Sequence, residues 1–243
     1  MGRVKLQVSL LTSTKEAELT VALAAKLCYA NLDNNSLKTS LAEKEQGVFI
    51  DRLVEMGHLS PIEHASFTFL VEGVSRSLLA QVTRHRIASF SVRSQRYVNH
   101  SSHNDSSFSY IIPPQIEALG VEAIEKFTSQ MQQIQGWYDD WILQLGNKGE
   151  SSNEDARFVL PNAAETKFVL TMNARELQHF FKMRCCNRAQ WEIRNLATEM
   201  LWAVRQEAGC LFAKSGPGCI AGSCPEGKMS CGRQKEMQNI FGK

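Results

Sequence analysis

No Asp or Glu stands between Glu72 and Asp105, and no Lys stands between Lys44 and Lys126. The first gap leaves the cations of that region without neutralising neighbours along the chain. The second means that those cations are guanidinium groups. Other shortages narrow the class further. No apolar run reaches the roughly 20 residues that a bilayer-spanning helix needs. The N-terminus has no apolar signal core; Val4, Leu6, Val8 and Leu10 alternate with other residues, as in a strand. Seven cysteines is an odd number without a secretory signal, so reduced thiols in the cytoplasm are expected. The sequons at Asn99-His-Ser101 and Asn104-Asp-Ser106 are then chance matches. A net charge of +2 over 243 residues weakens a general nucleic-acid reading, which expects a strongly basic domain. No repeat and no linker interrupts the chain, which is long enough to bury a core as one domain.

Against those absences, Gln81 to Tyr97 holds Arg84, His85, Arg86, Arg93 and Arg96. Guanidinium is planar, permanently charged and bidentate, and so suits phosphate, carboxylate and the polar edge of a heterocycle. Clustered arginines repel unless an anion lies between them. The stretch reads either as a built anion site or as a solvated basic face.

Along the chain, Ser13-Thr-Lys-Glu16 is a capping box that should open a helix with Leu19, Leu23 and Leu27 on one face. A polar loop covers Asn31 to Thr39. Ser40-Leu-Ala-Glu43 should open a second helix, ending at Gly57. Ser60-Pro61 starts a single turn whose N–H groups and hydroxyl could hold an anion, or a simple turn. Ala65, Phe67, Phe69 and Val71 alternate as in a strand. A helix from Ser75 to Thr83 should deliver Arg84-His-Arg86 at its C-terminal end, where cations suit the helix dipole. Residues 87–104 read as a long loop, a common place for function, and Phe108 to Ile112 as a short strand.

Ile124, Phe127, Met131, Ile134, Tyr138, Trp141 and Leu145 mark a long helix with a core or subunit-contact stripe. Ser151 should open a short helix carrying Arg157 and ending before Pro161. Thr166 to Met172 reads as a strand, and Asn173 as the cap of a helix with Arg175 and His179 on one face and Arg184 near its end. Ala189 to Ala208 is one more amphipathic helix, and the rest is Gly-, Pro- and Cys-rich.

Two motif matches in that tail fail on context. Gly216-Pro-Gly-Cys-Ile-Ala-Gly222 fits a dinucleotide fingerprint, but it follows a helix and contains Pro217. Gly222 to Lys228 nearly fits a phosphate loop, but Met229 replaces the hydroxyl residue that would hold magnesium. Cys219, Cys224 and Cys231 could bind zinc with a fourth ligand; their spacing favours reduced thiols packed on the body, and no metal site is expected. Cys185 and Cys186 beside Arg184 suit either a nucleophile or a buried pair of small residues, and the second fits better. The arginines carry the argument: Arg84, Arg86, Arg96, Arg157, Arg175 and Arg184 come from separate segments, as a multiply charged ligand such as a nucleotide requires.

Arg84-His-Arg86, then seven residues, then Ser94, resembles the signature of flavin-dependent thymidylate synthases. Ile87-Ala-Ser89, Ser94-Gln-Arg-Tyr97, Arg157-Phe-Val-Leu-Pro161, Asn173-Ala-Arg175 and the Arg184 region are similar to that family too. The resemblance runs from the His58–His64 turn to the Gln190–Glu192 segment. It implies an α+β fold, a mostly antiparallel sheet surrounded by helices, with residues 1–214 as the domain and 215–243 as a tail. It implies reductive methylation of dUMP to dTMP with methylenetetrahydrofolate, NADPH and FAD, in a homotetramer with shared active sites. Gln81, Arg84, Ser94, Gln95, Arg96, Arg157 and Arg184 would then hold dUMP, with Arg184 catalytic. Ser60, Arg84, His85, Arg86, Asn173, Arg175 and His179 would touch FAD. Ser91-Val92 departs from the Asn-Glu of many members, so that carboxylate role is not carried over. Two readings compete with this one: a protein gripping RNA phosphates through an arginine loop, and a flavoprotein of other chemistry.

Overall fold

The computed structural model describes residues 2–29, 46–104 and 107–242. The polar loop at Asn31–Thr39 and the capping box at Ser40–Glu43 lie outside the described residues. The four strands are β1 (Gln7–Ser13), β2 (Ser66–Ser75), β3 (Ala88–Val92) and β4 (Glu165–Asn173), paired in the order β1-β2-β4-β3 in an antiparallel sheet. β2 and β4 alternate buried and part-exposed residues along most of their length, as a sheet with one packed face requires. β3 corrects the reading of 87–104 as unbroken loop: Ala88-Ser-Phe-Ser-Val92 is short, but it keeps the period of two. The strand expected at Phe108–Ile112 shrinks to bridges from Tyr110 to Arg3 and Ala164.

The described helices are α1 (Ala17–Leu27), α2 (Gln46–Glu55), α3 (Arg76–Val82), α4 (Pro114–Glu117), α5 (Val121–Gln144), α6 (Glu150–Ala156), α7 (Ala174–Arg184), α8 (Trp191–Glu207), α9 (Gly209–Phe212) and α10 (Gln234–Phe241). None is long and apolar enough to cross a membrane. Contacts divide the chain into two compact units.

The first unit holds residues 1–7, 71–84 and 91–169. Ser75 caps α3 by accepting the Leu78 N–H at 3.0 Å. Most of the α5 stripe is core: Met131 packs with Phe108, Tyr110, Ile112 and Ala164, and Tyr138 and Ile142 pack with Ala156, while Trp141 is exposed. Gly146 (φ 83°) takes the left-handed turn that ends this helix. Gly73 has φ 67°, and a Cβ there would meet the Lys5 carbonyl oxygen at 1.9 Å, so only glycine fits.

The second unit holds residues 8–70, 85–90 and 170–243. The first capping box does not form. Glu16 sits in the left-handed region (φ 49°) with no side-chain cap. Ser13 Oγ instead donates to Glu207 at 2.6 Å, and Thr14 Oγ1 accepts the Ser66 N–H at 2.9 Å. The buried face of α1 is Ala17, Val21, Ala22 and Ala25, and Leu27 is exposed. The apolar face thus follows small residues that permit close packing, not the leucines. Gly57 closes α2 at φ 71°, as expected. In the tail, Arg205 donates to the Ser215 carbonyl at 2.8 Å and the Phe241 carbonyl at 2.5 Å, tying 215–241 to α8.

Candidate active site

In the second unit, Asn173 starts α7 by accepting the Glu176 N–H at 2.9 Å. That start sets the register that places Arg175 and His179 on the exposed side of α7, with Glu176 on its buried side. Lys182 continues the exposed row three residues on. These residues line a cavity of about 790 Å³ with Asn173, Leu59, Glu63, Ile87 and the tail segment 215–218. Of the residues expected to touch FAD, Asn173, Arg175 and His179 are therefore together on one wall. Ser60 is exposed on a 3-10 turn (Ser60–His64), whose Glu63 lines the cavity. Arg86 is exposed, next to the cavity residue Ile87.

His85 is buried, at 7% exposure. Its Nδ1 lies 3.0 Å from Glu176 Oε1, and its Nε2 lies 3.1 Å from Arg184 Nε. Phe180 packs edge-on at 4.9 Å between ring centroids. Burial pushes the His85 pKa below the ordinary histidine range; Glu176 works against this, and the Arg184 charge adds to it. Cys185, next along the chain from Arg184, is fully buried, and burial pushes its thiol up to about 12. Thiolate is the nucleophilic form, so Cys185 is inert at neutral pH.

In the first unit, Ser94 Oγ accepts the backbone N–H groups of Arg96 at 3.1 Å and Tyr97 at 3.4 Å. Asn153 Nδ2 donates to the Arg96 carbonyl at 3.0 Å, pinning this turn to α6. Glu154 joins two of the expected nucleotide residues. Its carboxylate meets Arg96 Nε at 3.0 Å, and its carbonyl accepts from Arg157 Nε at 3.1 Å. Glu150 also pairs with Arg96. Gln81 is part-buried on α3, with its amide bonded back to the Ser77 carbonyl at 3.4 Å. Gln95 is part-exposed, and Arg84 is exposed just after α3.

The carboxylates missing from the local sequence thus arrive from elsewhere in the chain. Arg93 is held by Glu165, Arg96 by Glu150 and Glu154, and Arg175 by Glu63. Arg93 is a structural ion pair, not part of an anion cradle. Among the described residues, no three His, Cys, Asp or Glu side chains are placed to hold a metal ion.

Sequence reasoning missed Glu176, Lys182 and the tail wall of the cavity. Lys182 was findable, because 175, 179 and 182 follow helical spacing. Residues 215–218 were not, because Gly-Pro-Gly carries no periodicity to place it.

Comparison with known proteins identifies the family. Residues 9–208 match the family model described as thymidylate synthase complementing protein. A flavin-dependent thymidylate synthase of Clostridium tetani is 47% identical over 245 residues, covering 97% of this chain and 96% of that protein. One from Geobacter sulfurreducens is 47% identical over 236 residues, covering 97% of this chain and 98% of that protein. The crystal structure of a UMP/dUMP methylase from Streptomyces cacaoi bound with 5-Br dUMP shares the fold, with a TM-score of 0.70 at 23% identity, covering 87% of this chain and 94% of that one. Family match, near-full-length relatives and the arginine–histidine–serine signature converge: this chain belongs to the flavin-dependent thymidylate synthases.

Proposed function

We propose that this chain converts dUMP to dTMP by reductive methylation, with methylenetetrahydrofolate as carbon donor, NADPH as reductant and FAD as resident cofactor. One observation carries the reading most directly: the buried His85 holds the Arg184 guanidinium at 3.1 Å, in the unit that also contains the cavity lined by Asn173, Arg175 and His179. A cavity of about 790 Å³ suits a large cofactor, and Arg175, His179 and Lys182 line it together with Glu63 and Asp51. Asn173, Arg175 and His179 would hold FAD there; Ser60, Arg84, His85 and Arg86 do not line this cavity, and their assignment to FAD rests on the family resemblance alone. When bound, the flavin supplies the hydride that completes the new methyl group.

The chain's own residues bind and polarise the nucleotide. Ser94, Gln95 and Arg96 take the phosphate, with Gln81, Arg84 and Arg157 around it. The Arg96 pairs to Glu150 and Glu154 are about half exposed, and such pairs are worth about 0–1 kcal/mol, so a phosphate dianion displaces them readily. Arg184 stabilises negative charge developing on the pyrimidine ring. With Cys185 buried and protonated, no covalent thiolate is needed.

The assembly is a homotetramer with shared active sites. Support comes from apolar side chains left on the surface of α5 and next to Arg157: Trp137, Trp141 and Phe158. Residues 1–214 form the catalytic domain and 215–243 its tail. Free cysteines suit the cytoplasm.

The test is Arg184→Ala in the FAD-loaded enzyme. We expect dTMP formation to be abolished while assembly size is unchanged and dUMP no longer perturbs the flavin spectrum. Near-normal turnover would refute the assignment.

A further inference from the structure

We propose that Glu176 is a positioning residue that fixes the tautomer of His85, through which Arg184 is aimed. This rests on the reading of Arg184 as the guanidinium that faces the pyrimidine.

The sequence suggests a plainer job for Glu176. Three residues after the Asn173 cap, its carboxylate is in the position that usually reaches back to the cap. Here only its backbone N–H serves the cap. The carboxylate turns inward to His85 Nδ1 at 3.0 Å, with side-chain exposures of 9% and 6% for the pair. A buried carboxylate is costly unless hydrogen-bonded, so this pairing is built and not incidental.

The chemistry of the donors settles the proton positions. Guanidinium has N–H donors and no acceptor. Arg184 Nε, 3.1 Å from His85 Nε2, must therefore donate, and Nε2 must present its lone pair. The ring proton is left on Nδ1, where it donates to Glu176. The order is guanidinium to imidazole to carboxylate, each link an N–H donated to the next group. One edge of Arg184 is thereby committed to His85, which fixes the plane of the guanidinium.

Two effects must be kept apart. The relay needs neutral His85, since a protonated ring would point Nε2–H at the Arg184 N–H. Burial and the Arg184 charge favour the neutral ring, whereas the Glu176 charge favours the protonated one. His179, at 6.2 Å between ring centroids, also opposes protonation. Glu176 therefore does not keep His85 neutral; it decides which nitrogen carries the proton.

Glu176→Gln in the FAD holoenzyme separates these effects. A Gln amide can accept from Nδ1 or donate to it, so it no longer dictates the tautomer. We expect kcat for dTMP formation to fall about 10- to 100-fold, by analogy with removing the orienting partner of a metal-bound histidine, with a smaller change in the KM for dUMP. Removing the carboxylate also removes the group that raises the His85 pKa, so the acid limb of the pH–kcat profile should move to lower pH. A residue that merely supports the fold would not move that limb. Unchanged kcat with the limb at its wild-type position overturns the proposal.

A second measurement needs no folded variant of Glu176. In the ¹⁵N-histidine spectrum of the wild-type holoenzyme at neutral pH, with His85 assigned by comparison with His85→Asn, Nδ1 should be pyrrole-type and Nε2 pyridine-type. The opposite tautomer, or an imidazolium, overturns the relay whatever Arg184 does. Normal turnover in Arg184→Ala would instead sink the reading of the site and leave the tautomer result standing.

Discussion

Cys185 and His100 show how burial sets chemistry at single positions. The Cys185 thiol, pushed up to about 12, has almost no thiolate at neutral pH. Cys185→Ala and Cys186→Ala should therefore keep dTMP formation, measured with FAD bound. Lost turnover in a variant that still binds FAD would reopen a thiolate route. His100 is buried beside the Arg93 and Arg76 charges, and its pKa falls from 6.5 to about 4, burial being the larger cause. The unfolded chain then binds a proton that the folded one refuses. Stability from this residue is full above pH 6.5 and drains away as pH falls toward 4, by about 3 kcal/mol in all. Urea unfolding of wild type and His100→Gln across that range checks this: the variant should lose less stability on acidification. Parallel pH dependence in the two proteins would rule the effect out.

The helix carrying Arg175, His179 and Arg184 shows what was readable locally and what was not. Its cap was legible, because Asn173 and the Glu176 N–H are neighbours in sequence and bond at 2.9 Å. Asn173→Ala should cost about 1 kcal/mol of stability by removing that bond. It should also weaken FAD binding, since Asn173 lines the cavity. Denaturant midpoints and cofactor titration report the two effects separately. A stability loss of zero would mean that the cap does not hold the helix start. Ser13-Thr-Lys-Glu16 carries the same kind of signal and forms no capping box, because Ser13 and Thr14 bond to Glu207 and Ser66 instead. β3 escaped notice for a related reason. Five residues in a Ser-rich stretch alternate too briefly to stand out from loop until β4 pairs with them.

At the scale of the whole molecule, the exposed apolar residues of the first unit point to self-association. Trp137 is 56% exposed, Trp141 46% and Phe158 83%, while the rest of the α5 stripe is spent on core. If the proposed tetramer forms through this face, replacing Trp137 and Trp141 together with Glu should give a smaller species in sedimentation, and reduced dTMP formation if the active sites are shared as proposed. An assembly of unchanged mass would mean that this face is not the contact.

By itself the sequence determined the long helices, the two longer strands, the cap at Asn173, and the arginine–histidine–serine signature. Each rests on residues a few positions apart, where periodicity and side-chain-to-backbone bonds leave a local trace. Tertiary structure alone decided which carboxylate answers which basic side chain. Glu176 lies 91 positions from His85, and Glu63 lies 112 from Arg175. No local pattern encodes such a pairing. It exists only once the packed chain has brought the two side chains to hydrogen-bonding distance.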